Sequence, residues 1–401
     1  MARVVVTGIG LVTPVGTGRE AVWSALLDGV DGIVDVESFD TSNHAAHRGG
    51  EIHGFDPAPW CRRLEPQRLG RASQLALCAG RQALDEADLL GRVAAERIGV
   101  AMGTTSGEPG VIETFDDRYL ADQLDAVGGE LIGFYPCHVI AAHLAEEFDL
   151  AGPNAMLPAA CAAGNYAIAY AVDALREGRA DAMLAGGADA FSRITYTGFA
   201  RLGAIAPERC QPFDKNRRGM MPGEAGAVLV LERYDDARRR GATIYAEVAG
   251  YGLSCDAHHM TAAHPDGDGA ARAMRRALEH AGLDTDTVDY VSAHGTGTPT
   301  NDKLETRALQ QLFGDRRVPV SSIKSMIGHT MGAASAVEAA VCSLAVARGQ
   351  VPPTIHFEDA DPECDLDCVP NTARELPVAV AMNNAYAFGG NNASVLFRRV
   401  A

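Results

Sequence analysis

The sequence predicts an α/β protein built from one unit that occurs twice in the chain. At 401 residues the chain is longer than a single hydrophobic core usually becomes, so two units are expected. Long apolar runs lie between helix-like segments, which is typical of sheets covered by helices on both faces. The order of these segments in the first half is repeated in the second half.

Each copy of the unit begins with an apolar strand that enters a Gly-x-Gly turn. These strands are VVVTGIGLVTP at 4–14 and AEVAGYGLSCD at 246–256. A helix rich in Ala and Leu follows in each half, and then a strand that ends in a Gly-Thr loop. The two segments are ALDEADLLGRVAAERIGVAMGTTSG and ALEHAGLDTDTVDYVSAHGTGTPT. The repeated order indicates a duplication rather than two unrelated domains.

The rest of each copy is a helix of small residues followed by an apolar strand and a glycine-rich turn. The helices are CAAGNYAIAYAVDALREG and GHTMGAASAVEAAVCSLAVARG, and each ends at a glycine. The strands are DAMLAGGADA and VAVAMNNAYAFGGNNA. A charged stretch, RYDDARRRGA, separates the copies, so we predict one half over 1–242 and the other over 243–401. Packed face to face, the halves would form a functional site where corresponding helices and loops meet.

The composition is that of a folded, acidic protein. Hydrophobic residues make up 47% of the chain and charged residues 22%, with a net charge of −17. No nucleic-acid partner is expected, because such a partner requires a basic face. An acidic partner would need a local cationic patch, and a solvated helix face is the alternative interpretation of the same arginines. The candidate residues are Arg62, Arg63, Arg68 and Arg71, with Arg217 and Arg218 as a second cluster.

Nine scattered cysteines, an odd number, indicate a reducing, cytoplasmic compartment rather than a disulfide framework. Cys364 and Cys368 are not followed by a second pair at zinc-binding spacing, so no metal site is predicted. The apolar N-terminus is too short and too interrupted by Gly and Pro for a signal peptide. No uninterrupted apolar stretch is long enough for a membrane span, so no membrane association is expected.

One cysteine lies at a position suited to chemistry. Cys161, in LPAACAAGNYA, precedes a helix-like run over 162–177 that Gly178 ends. A thiol at a helix N-terminus lies at the positive end of the helix dipole, where its pKa falls. A cysteine among alanines is, by itself, more often a small core residue. This position alone therefore does not decide between the two interpretations.

Polar residues of the second half favour the catalytic interpretation. His294 lies in SAHGTGTPTND after a buried strand, while Lys324 and His329 lie in SSIKSMIGHTMGAA. By the internal repeat, His329 is expected at the position that Cys161 occupies in its own half. Two histidines at strand ends, in a half that mirrors the cysteine-bearing half, predict a shared site.

The segments PAACAAGN, HGTGTPTND, KSMIGHTMGAASAVE and NAYAFGGNNA together resemble the β-ketoacyl-acyl-carrier-protein synthases of the elongating Cys-His-His type. Within them, the chain is most similar to synthase II and to the discrete ketosynthases of type II polyketide systems, from its first strand to its last. The resemblance implies a thiolase-like fold whose duplicated halves form five α-β-α-β-α layers. It also implies an acyltransferase that joins a malonyl group to a bound acyl chain with loss of CO2, in fatty acid or type II polyketide biosynthesis.

The resemblance also implies a role for each residue of the predicted site. Cys161 would hold the acyl chain as a thioester, and His294 and His329 would donate hydrogen bonds to the enolate oxygen. Both histidines must therefore be mostly neutral. Lys324 would be a fixed cation close to His329, paired with Glu305.

Further implied roles concern the glycine-rich turn and the substrate carrier. The backbone N–H groups of Cys161 and Phe388 would form an oxyanion hole, and Phe388 would be a gate made mobile by Gly389 and Gly390. The residues implied for the pantetheine arm are Thr296 and Thr298. The arginines from Arg62 to Arg71 would dock an acyl carrier protein, whose phosphopantetheine brings both substrates, so no separate cofactor is expected. The chain would form a homodimer, or a heterodimer with a homologous chain-length-factor subunit.

The chain departs from the family pattern near the predicted site. The glycine-rich turn usually reads Phe-Gly-Phe-Gly-Gly-Thr-Asn, whereas 386–392 reads YAFGGNN. Ala387 is expected to stiffen the hinge, and Asn391 to change its hydrogen bonding. Ile327 replaces a small polar residue, and MMP at 220–222 departs from an aromatic-aliphatic pattern. These changes bear on the acyl substrate rather than on the reaction, and they favour a specialised pathway.

Three alternatives carry less support. A NAD(P)-dependent oxidoreductase would use Gly8 and Gly10, but the third glycine of the dinucleotide motif is absent. A chain-length partner without a nucleophile is disfavoured by Cys161, although a ketosynthase subunit of a specialised polyketide or polyene pathway could work with such a partner. A priming synthase or thiolase would have Asn or a second Cys in place of one histidine, and IGHTMGAA has neither.

Overall fold

One mixed sheet of eleven strands organises the computed structural model, which describes residues 2–123 and 133–400. The strands, including those of two small separate sheets, are β1 (Val4–Thr13), β2 (Gly16–Thr17), β3 (Val34–Asp35), β4 (Arg48–Gly49), β5 (Ile98–Gly103), β6 (Asn154–Leu157), β7 (Ala182–Asp189), β8 (Ala225–Arg233), β9 (Ala246–Cys255), β10 (Tyr290–Ser292), β11 (Val320–Ser321), β12 (Gln350–Val351), β13 (Arg374–Glu375), β14 (Val380–Tyr386) and β15 (Asn391–Arg398). The order in the large sheet is β11-β10-β14-β15-β9-β1-β8-β7-β5-β6, with β2 on β1.

Helices fill the connections between these strands. In the described part of the chain they are α1 (Arg19–Leu27), α2 (Arg71–Ala87), α3 (Pro109–Leu120), α4 (Val139–Phe148), α5 (Ala163–Arg176), α6 (Arg193–Arg201), α7 (Tyr234–Arg239), α8 (Asp268–Ala281), α9 (Pro299–Phe313), α10 (Lys324–Ile327) and α11 (Ala334–Arg348). Single 3₁₀ turns, Ala160–Ala162 and Met331–Ala333, lead directly into α5 and α11.

The strand order is symmetrical about the contact between β1 and β9. Reading outwards, one side is β1, β8, β7, β5 and β6, and the other is β9, β15, β14, β10 and β11. Corresponding neighbours have the same direction: β7–β5 and β14–β10 are parallel, whereas β8–β7 and β15–β14 are antiparallel. The predicted duplicated, thiolase-like α/β fold is confirmed. The two half-sheets join at one edge through three antiparallel residue pairs. The division of the chain into halves at 242/243 stays a prediction.

Five layers follow from how the helices cover the half-sheets. Helices α2 and α4 lie on the outer face of the first half-sheet, α8 and α9 on the outer face of the second, and α5 and α11 between the two. Helix α11 is buried from Ala334 to Val346, which explains its small residues. Among the described residues, only Met331–Arg348 has the length and apolarity of a membrane-crossing helix, and 89% of it is buried inside the protein, as a core helix is.

The glycines of β1 serve packing rather than phosphate binding. A Cβ atom at Gly8 would lie 2.2 Å from the carbonyl oxygen of Ala83, and one at Gly10 would lie 1.8 Å from that of Ala79. Helix α2 can therefore approach β1 closely only because both residues lack side chains. Strand β1 is also antiparallel to both of its main neighbours, β8 and β9, unlike the strand of a dinucleotide-binding unit. The oxidoreductase alternative is wrong.

Candidate active site

Cys161 lies in the 3₁₀ turn that opens α5, as the sequence predicts. Its neighbour Ala160 has φ of 48°, a left-handed conformation that is costly for a residue with a side chain. Met331 has φ of 53° at the same place in the turn before α11. The two turns therefore correspond, and Cys161 in the first half is equivalent to Gly332 in the second. The prediction that His329 occupies the equivalent position is wrong, because His329 lies three residues earlier, in the loop that enters the turn.

The three predicted reactive side chains nevertheless meet. The Nε2 atom of His329 lies 3.1 Å from the Sγ atom of Cys161. The rings of His294 and His329 are 5.4 Å apart between centroids, at 84° to each other. One side-chain N or S atom from each residue lies within 4.8 Å of the other two, and all three residues are buried. The first half thus contributes the sulfur and the second half contributes both imidazoles.

The backbone decides which nitrogen of His329 carries the proton. The N–H of Met331 donates to Nδ1 of His329 over 3.2 Å, so Nδ1 is an acceptor. In a neutral ring the proton then lies on Nε2, which faces Cys161. Burial lowers the pKa of His329 well below 6.5, and the charge of Lys324 lowers it further. His329 is therefore a neutral hydrogen-bond donor beside the sulfur, and not a base.

His329 is also held at its main chain by the segment that departs from the family pattern. Its N–H donates to the carbonyl oxygen of Met221 over 2.6 Å, and its carbonyl oxygen accepts from the N–H of Gly223 over 2.9 Å. These contacts use backbone atoms only, and of the two methionines Met220 lines the cavity beside the reactive side chains, whereas Met221 packs in a separate buried cluster.

The pKa of the Cys161 thiol does not follow the prediction. Burial raises this pKa to about 12, and the charge of Lys324 opposes the increase. The predicted lowering by the helix dipole is wrong for the free protein, because removing a thiolate from water outweighs the partial charge of one helix terminus.

The predicted pairing of Lys324 with Glu305 is also wrong. The Nζ atom of Lys324 pairs with the carboxylate of Glu338 on α11, and both side chains are 1% exposed. Glu305 on α9 instead accepts hydrogen bonds from the N–H groups of His294, at 2.8 Å, and Gly295, at 2.7 Å. It therefore holds the loop that presents His294. Glu338 could have been recognised as the one acidic residue of an otherwise small and apolar helix.

Asp189 is a second residue that the sequence analysis missed. It ends β7, and its carboxylate accepts hydrogen bonds from the N–H groups of Thr105, Ser106 and Gly332 and from the hydroxyl of Thr104. Burial raises its pKa to about 6. This carboxylate ties the first half to the turn that follows His329, so it is a positioning residue. The signal was an acidic residue at the end of the apolar strand DAMLAGGADA.

A cavity of about 240 Å³ leads to the three reactive side chains. Thr296 and Thr298 both line it, and their hydroxyl oxygens are 2.9 Å apart. Phe388 lines it as well, is 40% exposed, and lies 5.9 Å from Phe199 between ring centroids. The two threonines predicted for the pantetheine arm and the phenylalanine of the predicted gate thus lie around one opening.

The predicted gate is a tight turn with both glycines at positive φ, 83° for Gly389 and 74° for Gly390. The N–H of Gly389 donates to the carbonyl oxygen of Met260 over 2.8 Å. In the described part of the chain, neither the N–H of Cys161 nor that of Phe388 donates a hydrogen bond outside its own 3₁₀ turn. The oxyanion hole formed by these two N–H groups stays a prediction.

The predicted arginine patch is only partly available at the surface. Arg62, Arg63 and Arg68 are exposed. Arg71 instead donates to the buried carboxylate of Glu224 over 2.8 Å and to a backbone carbonyl, so its role is internal. In the second cluster, Arg217 is buried and ion-paired with Asp361. Because of these internal ion pairs, Arg71 and Arg217 are not available to bind an acidic partner.

Fold and site together define a class, the thiolase-like acyltransferases. The comparison with protein families then gives the family. Models described as "Beta-ketoacyl synthase, N-terminal domain" and "Beta-ketoacyl synthase, C-terminal domain" match residues 1–237 and 245–358. The chain therefore belongs to the β-ketoacyl synthase family.

Individual relatives agree with this family over the full length. The chain is 40% identical over 407 residues to the 3-oxoacyl-[acyl-carrier-protein] synthase 2 of Synechocystis sp., covering 99% of this chain and 98% of the relative. The structure titled "The ishigamide ketosynthase/chain length factor" has a TM-score of 0.97 and 40% identity, with both chains fully covered. A type II PKS ketosynthase in complex with its acyl-carrier protein has a TM-score of 0.93 and 31% identity, again over the full length of both chains.

Proposed function

We propose that this chain is a β-ketoacyl-acyl-carrier-protein synthase that joins a malonyl unit to an acyl chain held on Cys161, with loss of CO2. One observation carries the proposal. The protonated Nε2 of His329 faces the sulfur of Cys161 at 3.1 Å, with the ring of His294 beside it, at the end of a cavity. This arrangement supplies a nucleophile and two neutral donors where a thioester oxygen would lie.

In the first step the acyl chain moves from the carrier to the protein. The sulfur of Cys161 attacks the thioester carbonyl carbon, and the bond to the pantetheine sulfur breaks. The thiol proton of Cys161 ends on the released pantetheine thiol, so no external base is consumed. The N–H groups of Cys161 and Phe388 are the donors for the negative oxygen formed in between.

In the second step a malonyl thioester enters the emptied cavity. Its carboxylate leaves as CO2, and the electron pair moves to the thioester oxygen as an enolate. Hydrogen bonds from Nε2 of His329 and from His294 stabilise that oxygen, because both rings are buried, neutral donors. The enolate carbon then attacks the acyl carbonyl carbon, and Cys161 leaves as a thiolate that takes up a proton.

Substrate delivery is part of the same proposal. An acyl carrier protein brings both substrates on phosphopantetheine, with Thr296 and Thr298 along the arm and Phe388, Gly389 and Gly390 as the gate. Its acidic surface docks on Arg62, Arg63 and Arg68. No separate cofactor or metal ion takes part, and the reaction takes place in the cytoplasm. We also propose that the division at 242/243 separates a cysteine-bearing half from a histidine-bearing half, in keeping with the ranges that the two family models match.

A second candidate is a ketosynthase subunit of a specialised polyketide pathway that works with a chain-length-factor partner. It is favoured by the similarity to the ishigamide ketosynthase/chain length factor structure and by the unusual sequence of the gate. The two candidates share the reaction and differ in assembly. A homodimer that condenses alone supports the first candidate, and a chain that becomes active only with a homologous subunit supports the second.

The test is a condensation assay on the purified chain with acyl-loaded and malonyl-loaded carrier protein. We expect one CO2 and one β-ketoacyl carrier for each acyl group consumed, by intact-mass analysis. The Cys161→Ala variant is expected to keep its melting temperature and to form no acyl-protein and no product. Condensation by that variant would reject the proposed role of the cysteine.

A further inference from the structure

The wall of the cavity contains a tyrosine whose hydroxyl the proposed mechanism does not use. Tyr386, the last residue of β14, lines the cavity and is 8% exposed. Its hydroxyl is buried and has no hydrogen-bond partner among the described residues. The family pattern usually has phenylalanine here, so the hydroxyl is an addition relative to that pattern.

Tyr386 lies directly beside one of the two imidazoles. Its ring makes an edge contact with His294, at 5.8 Å between centroids and 68° between planes. Burial raises the pKa of Tyr386 well above 10, and the carboxylate of Glu305 raises it further. The hydroxyl therefore stays protonated and can act as a donor at any physiological pH.

An unpaired buried hydroxyl destabilises a folded protein, because it has lost its hydrogen bonds to water and gained none in return. A phenylalanine would fill nearly the same volume without that cost, so the hydroxyl needs an acceptor that reaches it during the reaction. The methylene groups of an acyl chain offer none. The malonyl unit does, because its thioester oxygen gains negative charge beside His294.

We propose that the Tyr386 hydroxyl donates a hydrogen bond to an oxygen of the malonyl unit bound beside His294, adding a third donor to those of the two histidines. The inference rests on the proposed function. It assigns Tyr386 to the malonyl step alone, and the transfer of the acyl chain to Cys161 does not need it.

The test is the Tyr386→Phe variant, which removes one oxygen atom and introduces the residue usual in the family. Two half-reactions are measured separately: acylation of Cys161 by acyl carrier protein, and malonyl-dependent condensation on the preformed acyl-protein. We expect the acylation rate to stay as in the wild type, and the melting temperature to stay the same or to rise, because the variant removes an unpaired buried hydroxyl. The kcat/KM for malonyl carrier protein is expected to fall roughly 3- to 10-fold, the effect of losing one neutral hydrogen bond.

Tyr166→Phe is the matched control. Tyr166 packs against the buried cluster of Ala162, Ala385 and Ala393 and is not one of the residues that line the cavity, so this variant should match the wild type in both half-reactions. Unchanged malonyl kinetics in Tyr386→Phe would overturn the inference while leaving the proposed function intact. Equal losses in both half-reactions, or a lowered melting temperature, would also overturn it by showing a structural role. A wild-type chain that does not condense at all would instead reject the proposed function.

Discussion

Lys324 is ion-paired with Glu338 in the interior of the protein, directly behind the reactive side chains. Burial lowers the pKa of His294 and of His329, and the charge of this one lysine lowers it further; the same charge opposes the rise that burial imposes on the pKa of the Cys161 thiol. The lysine thus adds to the burial that keeps both imidazoles neutral, and it favours the thiolate, whereas the charge of Glu338 opposes the thiolate. A buried cation can do this only while a partner compensates its own charge.

The first prediction concerns that compensation. In Glu338→Gln, Lys324 is left buried without a charged partner, and the free energy of unfolding is expected to fall by about 3–5 kcal/mol in urea titrations. The double variant Lys324→Met/Glu338→Leu should recover much of this stability but not the activity. Glu363→Gln, which breaks the exposed pair with Lys303, is the control and should cost no more than about 1 kcal/mol. Equal costs at both sites would contradict this account.

The second prediction is an acid-dependent loss of stability from the histidines. The unfolded chain protonates a histidine near pH 6.5, whereas the folded chain binds that proton only at much lower pH. As the pH falls below 6.5, the unfolded state binds more protons, so the free energy of unfolding decreases by up to about 1.4 kcal/mol per pH unit for each histidine. His294→Gln should be less sensitive to acid than the wild type between pH 6.5 and 5.

Glu305 provides a control, because its contribution to the free energy of unfolding changes with pH in the opposite direction. Burial raises its pKa to about 8, so the folded state holds a proton that the unfolded state has already released above pH 4.5. Its contribution to stability is therefore lost as the pH rises from about 4.5 to 8. Compared with the wild type, Glu305→Gln should lose less stability over that range. The same pH slope in both variants would contradict these assignments.

The third prediction separates Cys161 from the exposed Cys255. A small polar reagent such as iodoacetamide is expected to modify Cys255 first, because Cys161 is buried and its thiol has a pKa of about 12. An electrophile that carries an acyl-like chain, such as cerulenin, should modify Cys161, since binding in the cavity concentrates it beside the sulfur. Peptide mass mapping of the wild type and of Cys255→Ser measures both. If neither reagent labels Cys161, the cavity does not admit a substrate.

The fourth prediction distinguishes the arginines of the predicted patch. Arg68→Glu should weaken the binding of an acyl carrier protein, more at low salt than at high salt, with stability changed by less than about 0.5 kcal/mol. Arg71→Glu should instead lower the melting temperature, because it leaves the buried carboxylate of Glu224 without its cation. Unchanged affinity of Arg68→Glu at low ionic strength would reject this face as the docking surface.

The residues missed by sequence analysis share a physical reason. Asp189 and Glu338 act on atoms that are distant along the chain, a backbone N–H of the other half and an ammonium group fourteen residues away. Neither residue belongs to a local pattern of the kind that identified Cys161, His294 and His329. The sequence also does not show that the Tyr386 hydroxyl has no hydrogen-bond partner, because the groups within reach of a side chain are known only from the packing.

The order of residues was sufficient to predict the duplicated α/β fold, the family and the three candidate reactive side chains, because these depend on local periodicity and on short motifs that can be recognised in a single sequence. Three-dimensional packing alone decided the partner of Lys324, the proton position on His329, the high pKa of the thiol and the withdrawal of Arg71 into an internal ion pair. Each of these depends on distances of a few ångströms between segments that lie far apart in the chain, and on how much water those segments exclude.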